Sequence, residues 1–332
     1  ISGDVRLIIA NDVTLTVTGA VAPASNVVVS AGSNFYVYSQ PLEGTEIKGI
    51  LNGIGNNVAL DSYTTITNTA AIYAAGYSYA ITSPPSTTDC KVVNGITGEI
   101  TSAGYTAVSV SVNSTVNNYG SIAAGSYGIG VSASWNGSTI NNFAYQAVAE
   151  DFSAPAAGYE TYVGTIQSDY TGAAGNVNNY GTIIGGTTGA APGRVVNNYG
   201  TIIGGTYGVR NGGENGVIDN YNTIIGGSYG IFAENYTTGG GPALQTVFCT
   251  VTFINRTGAQ VDGDVALAEA KNTVTFWVDS TIDGDFYIGD DPASTLTFTG
   301  LLDSDLTYAT VTGTTVLGAD ASGGPTVFVS FV

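Results

Sequence analysis

A five-residue phrase that recurs along the chain constrains the fold more than any other feature. Val116-Asn-Asn-Tyr-Gly120, Ile140-Asn-Asn-Phe-Ala144, Val177-Asn-Asn-Tyr-Gly181, Val196-Asn-Asn-Tyr-Gly200 and Ile218-Asp-Asn-Tyr-Asn222 align without gaps. Three copies run on as Thr182-Ile-Ile-Gly-Gly186, Thr201-Ile-Ile-Gly-Gly205 and Thr223-Ile-Ile-Gly-Gly227, and weaker ones occur at Ile66-Thr-Asn68, Val93-Asn94 and Ile254-Asn255. Consecutive starts lie 19 residues apart (Val177 to Val196), 22 (Val196 to Ile218), 24 (Val116 to Ile140) and 37 (Ile140 to Val177). Helical repeats need about 33 residues or more, whereas three short strands with their turns need fewer. β-Branched residues, alternation of period two and glycine at strand ends agree with strands. The expected fold is all-β, a right-handed parallel β-helix with irregular coils and surface loops. The wide step after Ile140 predicts a loop over Glu150 to Tyr170, and Val265 to Lys271 reads as a helical turn.

A single coil cannot bury its apolar side, so coils must stack, at about 4.8 Å per step. Stacking places Val116, Val177, Val196 and Ile218 in an inward column. By alternation Asn118, Asn142, Asn179, Asn198 and Asn220 also point inward, where amides bonded along the axis satisfy otherwise buried polar groups. The same parity sends Tyr119, Phe143, Tyr180, Tyr199 and Tyr221 outward as an aromatic stripe. A second column is expected through Tyr127, Tyr207 and Tyr229. Outward rings either stabilise the ladder or offer a surface to glycans or a neighbouring subunit.

Together with the Ser-Tyr-Gly-Ile steps and the stretches Asn272-Thr-Val-Thr-Phe276, Ser280-Thr-Ile-Asp-Gly-Asp285 and Gly289-Asp-Asp-Pro-Ala-Ser-Thr-Leu-Thr-Phe-Thr-Gly300, these copies resemble passenger domains of bacterial autotransporters. The resemblance covers residues 60 to 300. It implies export across a Gram-negative envelope, an extracellular place on the bacterial cell surface, and a role in adhesion or coating. The outer-membrane barrel of that family is not in this sequence, which implies a cleaved passenger or independent use of the fold. A start at Ile1 fits a processed chain whose export signal has been removed. No run of about 18 apolar residues occurs, so membrane insertion is not expected.

Charge narrows the partners. Only 10% of residues are charged, and 25 acidic against 7 basic residues give a formal net charge of −18. Arg6, Lys48, Lys91, Arg194, Arg210, Arg256 and Lys271 stand singly, so no basic patch is available for nucleic acid. The absence of histidine excludes His-dependent triads and metal sites. Cys90 and Cys249 are 159 residues apart, neither a disulfide framework nor a metal spacing. The pairs Asp262/Asp264, Asp283/Asp285, Asp290/Asp291 and Asp303/Asp305 have no Lys or Arg after Lys271 to partner them and sit in turns. Turn chemistry is their first reading, a Ca2+ site the second, and catalysis the last, so no cofactor is expected. Asn-x-Ser/Thr triplets at Asn113, Asn136, Asn235 and Asn255 arise readily by chance in such a composition.

Three segments are expected: residues 1–60 with the first coils, 61–241 as the regular β-helix, and 242–332 with the last coils and a terminal strand. Val327, Phe328, Val329, Phe331 and Val332 form an uncharged apolar end that needs a partner. Either it folds back on its own coils or, the favoured expectation, it docks on a second copy. The favoured function is a non-enzymatic structural subunit that self-assembles into a surface fibre, tube or coat. A monomeric adhesin passenger that binds glycans or host surfaces is the alternative, and a polysaccharide-active enzyme the remote one.

Overall fold

In a computed structural model of the chain, strands return to the same sheets coil after coil and pair in parallel with their counterparts in neighbouring coils, apart from the antiparallel pair Tyr236–Thr238 and Gln245–Val247. The structure describes residues 1–10, 13–18, 25–40, 49–54, 56–75, 78–125, 130–133, 137–143, 165–172, 176–238, 245–247, 249–267, 270–277, 279–289, 291, 293–299, 310–311, 315–316 and 329–331. Among these residues there is no helix, and the architecture is a parallel β-helix. Residues 1–175 with 180–184 form one compact unit, and 176–179 with 185–332 form a second.

The first unit has three sheets. The first sheet joins Val5–Ala10, Asn34–Gln40, Thr65–Asn68, Lys91–Asn94, Thr115–Asn118 and Thr139–Asn142. The second joins Thr14–Thr18, Ile50–Ile54, Ala71–Ala75, Glu99–Ser102, Ser121–Ala124 and Thr165–Gly172. The third joins Val27–Val29, Val58–Leu60, Ile81–Thr82, Val108–Val110 and Val131–Ala133. Alternation sorts the side chains: Ile66, Val92, Val116 and Ile140 stand in register with at most 1% exposure, while Thr65, Lys91, Thr115 and Thr139 beside them face outward.

Each of these coils turns into the first sheet by the same device. Gly32, Tyr63, Asp89, Asn113 and Gly137, two residues before the strand, all have φ between 54° and 74°. The next residue, Ser33, Thr64, Cys90, Ser114 or Ser138, is buried. Its small polar side chain serves the turn backbone: Ser114 Oγ accepts from Cys90 N at 3.1 Å, and Ser138 Oγ accepts from Ser114 N at 3.2 Å. A left-handed residue followed by a buried hydroxyl or thiol thus reverses the chain without orphaning amides.

In the second unit the first sheet runs through Asn176–Asn179, Val195–Asn198, Gly216–Asn220, Val251–Asn255, Thr273–Trp277, Thr295–Thr299 and Val329–Phe331. The second sheet includes Thr201–Gly204, Thr223–Ala233, Gln260–Ala266, Thr281–Asp283 and Thr310–Val311. Past a glycine corner, Tyr207–Asn211, Phe286–Tyr287 and Thr315–Val316 continue the same sheet. Val177, Val196, Ile218, Phe253, Val274 and Leu296 form the inward column of the first sheet. In the later coils Phe253, Phe276 and Phe286 fill the interior edge to face, with centroids 6.0 and 5.4 Å apart.

Two local expectations are corrected. The segment expected as a helical turn, Val265 to Lys271, begins inside the strand Gln260–Ala266. There Val265 and Ala266 pair with Phe286 and Tyr287, and Leu267 and Ala270 are buried. Packing against the coil overrides the helix preference of an Ala- and Leu-containing run. The expected loop over Glu150 to Tyr170 is shorter at its far end, because Thr165–Gly172 is a strand of the second sheet that pairs with Ser121–Ala124. Residues 150–164 lie outside the described residues.

Candidate functional site

The repeated Asn-Asn-aromatic phrase builds two parallel features, one inside the wall and one outside. Inside the first unit, Asn68 donates through Nδ2 to Asn94 Oδ1, Asn94 to Asn118 and Asn118 to Asn142, each at 2.9 Å across steps of 26, 24 and 24 residues. Inside the second unit, Asn179 donates to Asn198, Asn198 to Asn220 and Asn220 to Asn255 at 2.8–2.9 Å, across 19, 22 and 35 residues. All eight side chains have no exposure. The second amide hydrogen goes to a corner carbonyl, as from Asn198 to Thr223 O at 2.9 Å and from Asn94 to Ser121 O at 3.0 Å. Asparagine fits because one side chain offers both an acceptor and two donors. Neighbours in register bound each ladder with apolar side chains, Val37 beside Asn68 and Phe276 beside Asn255.

Outside, Tyr119 stacks on Phe143 with centroids 4.7 Å apart, and Phe143 on Tyr180 at 5.8 Å. In the second unit Tyr199 stacks on Tyr221 at 4.4 Å with the rings 19° from parallel. That column continues with residues outside the expected stripe. Arg256 lies over Tyr221 with its guanidinium carbon 5.0 Å from the centroid, and 5.3 Å from the Trp277 ring. Asp219 fixes it with two bonds, Nε to Oδ1 at 2.7 Å and Nη2 to Oδ2 at 2.8 Å. The Asp219 bond is the main reason the guanidinium holds its proton more tightly than usual. Burial, then the hydrogen bond and charge of Tyr221, pushes the Tyr199 phenol up.

Asp219 is the signal that sequence reading passed over. It stands where the other copies have an outward asparagine, and those asparagines pair with each other: Asn141 with Asn117 and Asn197 with Asn178, each at 2.8 Å. The one copy with a carboxylate is the one whose following coil supplies an arginine. Arg256→Ala should therefore lower stability by about 1–3 kcal/mol, from cation–π and ion-pair contacts at a half-buried site. Arg256→Lys should recover less than half, since an ammonium lacks the planar fork. Urea unfolding midpoints of the two variants test this.

Stacking has a chemical consequence. Tyr199 and Tyr221 are each a little over a third exposed, while the ring faces that meet within the column are covered. A flat ligand has no access between them. Tyr207 and Tyr229 also stack, at 5.6 Å, with Phe232 against both and Arg210 over Tyr207 and bonded to Glu234. Tyr127 lies outside the described residues.

The remaining candidates resolve as follows. Asp262 and Asp283 are register neighbours on the exposed face of the second sheet. Asp291 Oδ1 accepts from Ala293 N at 2.8 Å, which is turn chemistry, while Asp264 Oδ1 accepts from Asp285 N of the next coil at 2.9 Å. Among the described residues no group of three or more acidic or thiol side chains is arranged to hold a metal ion. Asp290, Asp303 and Asp305 lie outside them. Cys90 and Cys249 are both buried free thiols, and burial, then Glu214 and Glu234, raises the Cys249 pKa. Asn255 is closed inside the ladder, so the folded chain offers no glycan acceptor there. Asn113 occupies a left-handed corner, Asn235 Oδ1 accepts from Cys249 N, and Asn136 lies outside the described residues.

The terminal strand departs from the favoured expectation. Val329 and Phe331 pair in parallel within their own chain, opposite Leu296 and Phe298. One edge of this strand is therefore already used, so docking on a second copy falls to the other. Val327, Phe328 and Val332 lie outside the described residues. Comparison with protein-family models, with curated proteins and with solved structures gives no match in any of the three.

Proposed function

We propose that this chain is a non-enzymatic, extracellular structural subunit that assembles with further copies by stacking coil on coil. The supporting observation is that the first described coil presents a core able to receive a further coil. Leu15 points inward in register with Leu51, yet Leu15 is 41% exposed and Leu51 0%. Ile1 and Val13 are exposed in the same coil, and Ile8 and Val28 add apolar surface on its outward face. Val5–Ala10, Thr14–Thr18 and Val27–Val29 each end their sheet, so one edge of backbone donors and acceptors faces outward on all three, with Val28 O already taking the Ile1 amino group. A parallel coil from a second copy would satisfy those groups and bury the apolar side chains at about 25 cal/mol per Å². The opposite edge of Val329–Phe331 offers the complementary parallel strand. A lack of histidine, and of any Lys or Arg after Lys271 to partner the paired aspartates, supports the non-enzymatic part.

Sedimentation velocity and negative-stain microscopy of the purified chain test the reading. End-to-end polymers are expected, with Leu15→Glu plus Val28→Glu giving monomers that keep the β-sheet circular dichroism. Monomers of the unaltered chain at all concentrations would remove the assembly reading. The monomeric adhesin would then stand, with the exposed parts of Tyr199 and Tyr221 as its first candidate contact.

A further inference from the structure

On the outer face of the second sheet of the first unit, small and large side chains alternate from coil to coil. Ile50, Ala71 and Glu99 are register neighbours in one outward column, and Asn52, Tyr73 and Thr101 in the column beside it. The methyl group of Ala71 between two longer side chains leaves a groove of about 390 Å³, lined by these six residues with Thr14 and Ile72. That is within the range of small-ligand sites, roughly 300–1,000 Å³.

Its chemistry is mixed in a particular way. Tyr73 is half-buried, and among the described residues no other ring packs on it, in contrast to the face-stacked tyrosines of the first sheet. Around that ring stand an amide, a carboxylate and a hydroxyl, from Asn52, Glu99 and Thr101. Asn52 Nδ2 reaches only Thr16 Oγ1, at 3.4 Å, and its Oδ1 is covered and has no donor. A buried amide oxygen without a donor is unusual in a folded protein and invites a hydroxyl. A flip of the Asn52 amide would put that oxygen where Nδ2 now stands, on the exposed side beside Thr16.

We propose that this groove binds an uncharged sugar ring, stacked by its C–H face on Tyr73 and hydrogen-bonded through its hydroxyls to Asn52, Glu99 and Thr101. A sugar ring carries one apolar face and several equatorial donors, which is what an aromatic wall beside three oxygen acceptors selects. Outward positions lie about 4.8 Å apart between coils and about 6.6 Å apart along the strand, the span of one six-membered ring with its substituents. Glu99 and a net charge of −18 repel acidic sugars. The groove reaches Thr14 of the first coil, but it opens on the outer face of the sheet, whereas stacking would cover the strand edge, so the site stands or falls independently of the assembly reading.

Calorimetric titration of the full chain with cellotetraose and chitotetraose, with polygalacturonate as the anionic control, tests the proposal. Saturable binding of at least one uncharged probe is expected, with weaker or no heat from polygalacturonate. Tyr73→Ala should weaken it by about tenfold or more. Ala71→Leu, which fills the groove on an outward strand position, should abolish it with circular dichroism unchanged. If Tyr73→Ala misfolds, Ala71→Leu alone decides. No saturable binding of either uncharged probe, binding retained when the groove is filled, or a preference for polygalacturonate would each overturn the assignment.

Discussion

Asn198→Ala is expected to lower unfolding stability by about 3–5 kcal/mol, while Asn197→Ala, one residue away, should cost less than about 1 kcal/mol. The two side chains leave the same strand on opposite faces. Asn198 accepts from Asn179 at 2.8 Å and donates to Asn220 at 2.9 Å and Thr223 O at 2.9 Å, all without solvent exposure on its own side chain. Truncation leaves a donor and two acceptors in a place water does not reach, each at about 1–3 kcal/mol, partly relieved by the bond Asn179 keeps to Thr201 O. Asn197 makes one outward bond, to Asn178, and water replaces it. Against a typical total of about 5–15 kcal/mol the inner substitution is severe.

Two further measurements separate this account from a general packing loss. Asn198→Asp keeps the shape but, ionised, can only accept, so it faces Asn220 Oδ1 and Thr223 O without a donor. Its defect should lessen as pH falls and the buried carboxyl takes a proton, because the folded state then gains the donor it lacks. In a solenoid the damage is also local, since each coil contacts only its neighbours. Amide exchange should accelerate first at Tyr199 and Tyr221, whose N–H groups bond to Asn179 O and Asn198 O. Uniform acceleration across both units would contradict a ladder-specific role.

The repeats disclosed the stacking because every copy reports its two faces at once, with valine or isoleucine and the second asparagine inside and the aromatic outside. Parity alone then separates Asn198 from Tyr199. A coil that changes residue type while keeping its geometry carries no such mark. Arg256 and Trp277 continue the tyrosine column from coils without the Asn-Asn-Tyr phrase, and only the exchange of asparagine for Asp219 hints at them. The left-handed corner escaped for the same reason: glycine, tyrosine, aspartate and asparagine all occupy it, because neighbouring coils impose the backbone and the residue merely tolerates it. Tyr63 there is 65% exposed, so its ring gains little from the position. The third sheet of the first unit escaped because its strands are two or three residues long, too short for alternation to register. The groove beside Tyr73 was invisible because Ile50, Ala71 and Glu99 lie far apart in sequence and meet only once the register is known.

The second large effect is expected at the glycine corner of the second unit, where Gly226→Ala should cost more than about 4 kcal/mol or prevent folding. A Cβ on Gly226 would stand 1.7 Å from Tyr229 O, 2.4 Å from Tyr229 C and 2.7 Å from Gly208 N. All three are backbone atoms, so no side chain can swing away. Gly204 has the same relation to Tyr207 O at 1.7 Å, and Gly185 to Thr188 O at 1.8 Å. The chain after each Thr-Ile-Ile step folds back so tightly that the carbonyl three residues on covers the glycine Cα. Moving it would break the bonds by which Ser228 N and Tyr229 N donate to Thr206 O in the adjoining coil. Overpacking against side chains usually costs about 1–3 kcal/mol; against fixed backbone the cost exceeds that range. Gly212 is the control, because a Cβ there meets nothing within 4 Å and its φ is not in the left-handed region. Gly212→Ala should be neutral or stabilising by up to about 1 kcal/mol through the unfolded chain. Urea unfolding of the pair gives the answer. If Gly226→Ala unfolds within about 1 kcal/mol of the unaltered chain, the close carbonyl is not a fixed feature of the coil, and the recurrence of Gly-Gly after Thr-Ile-Ile needs another cause.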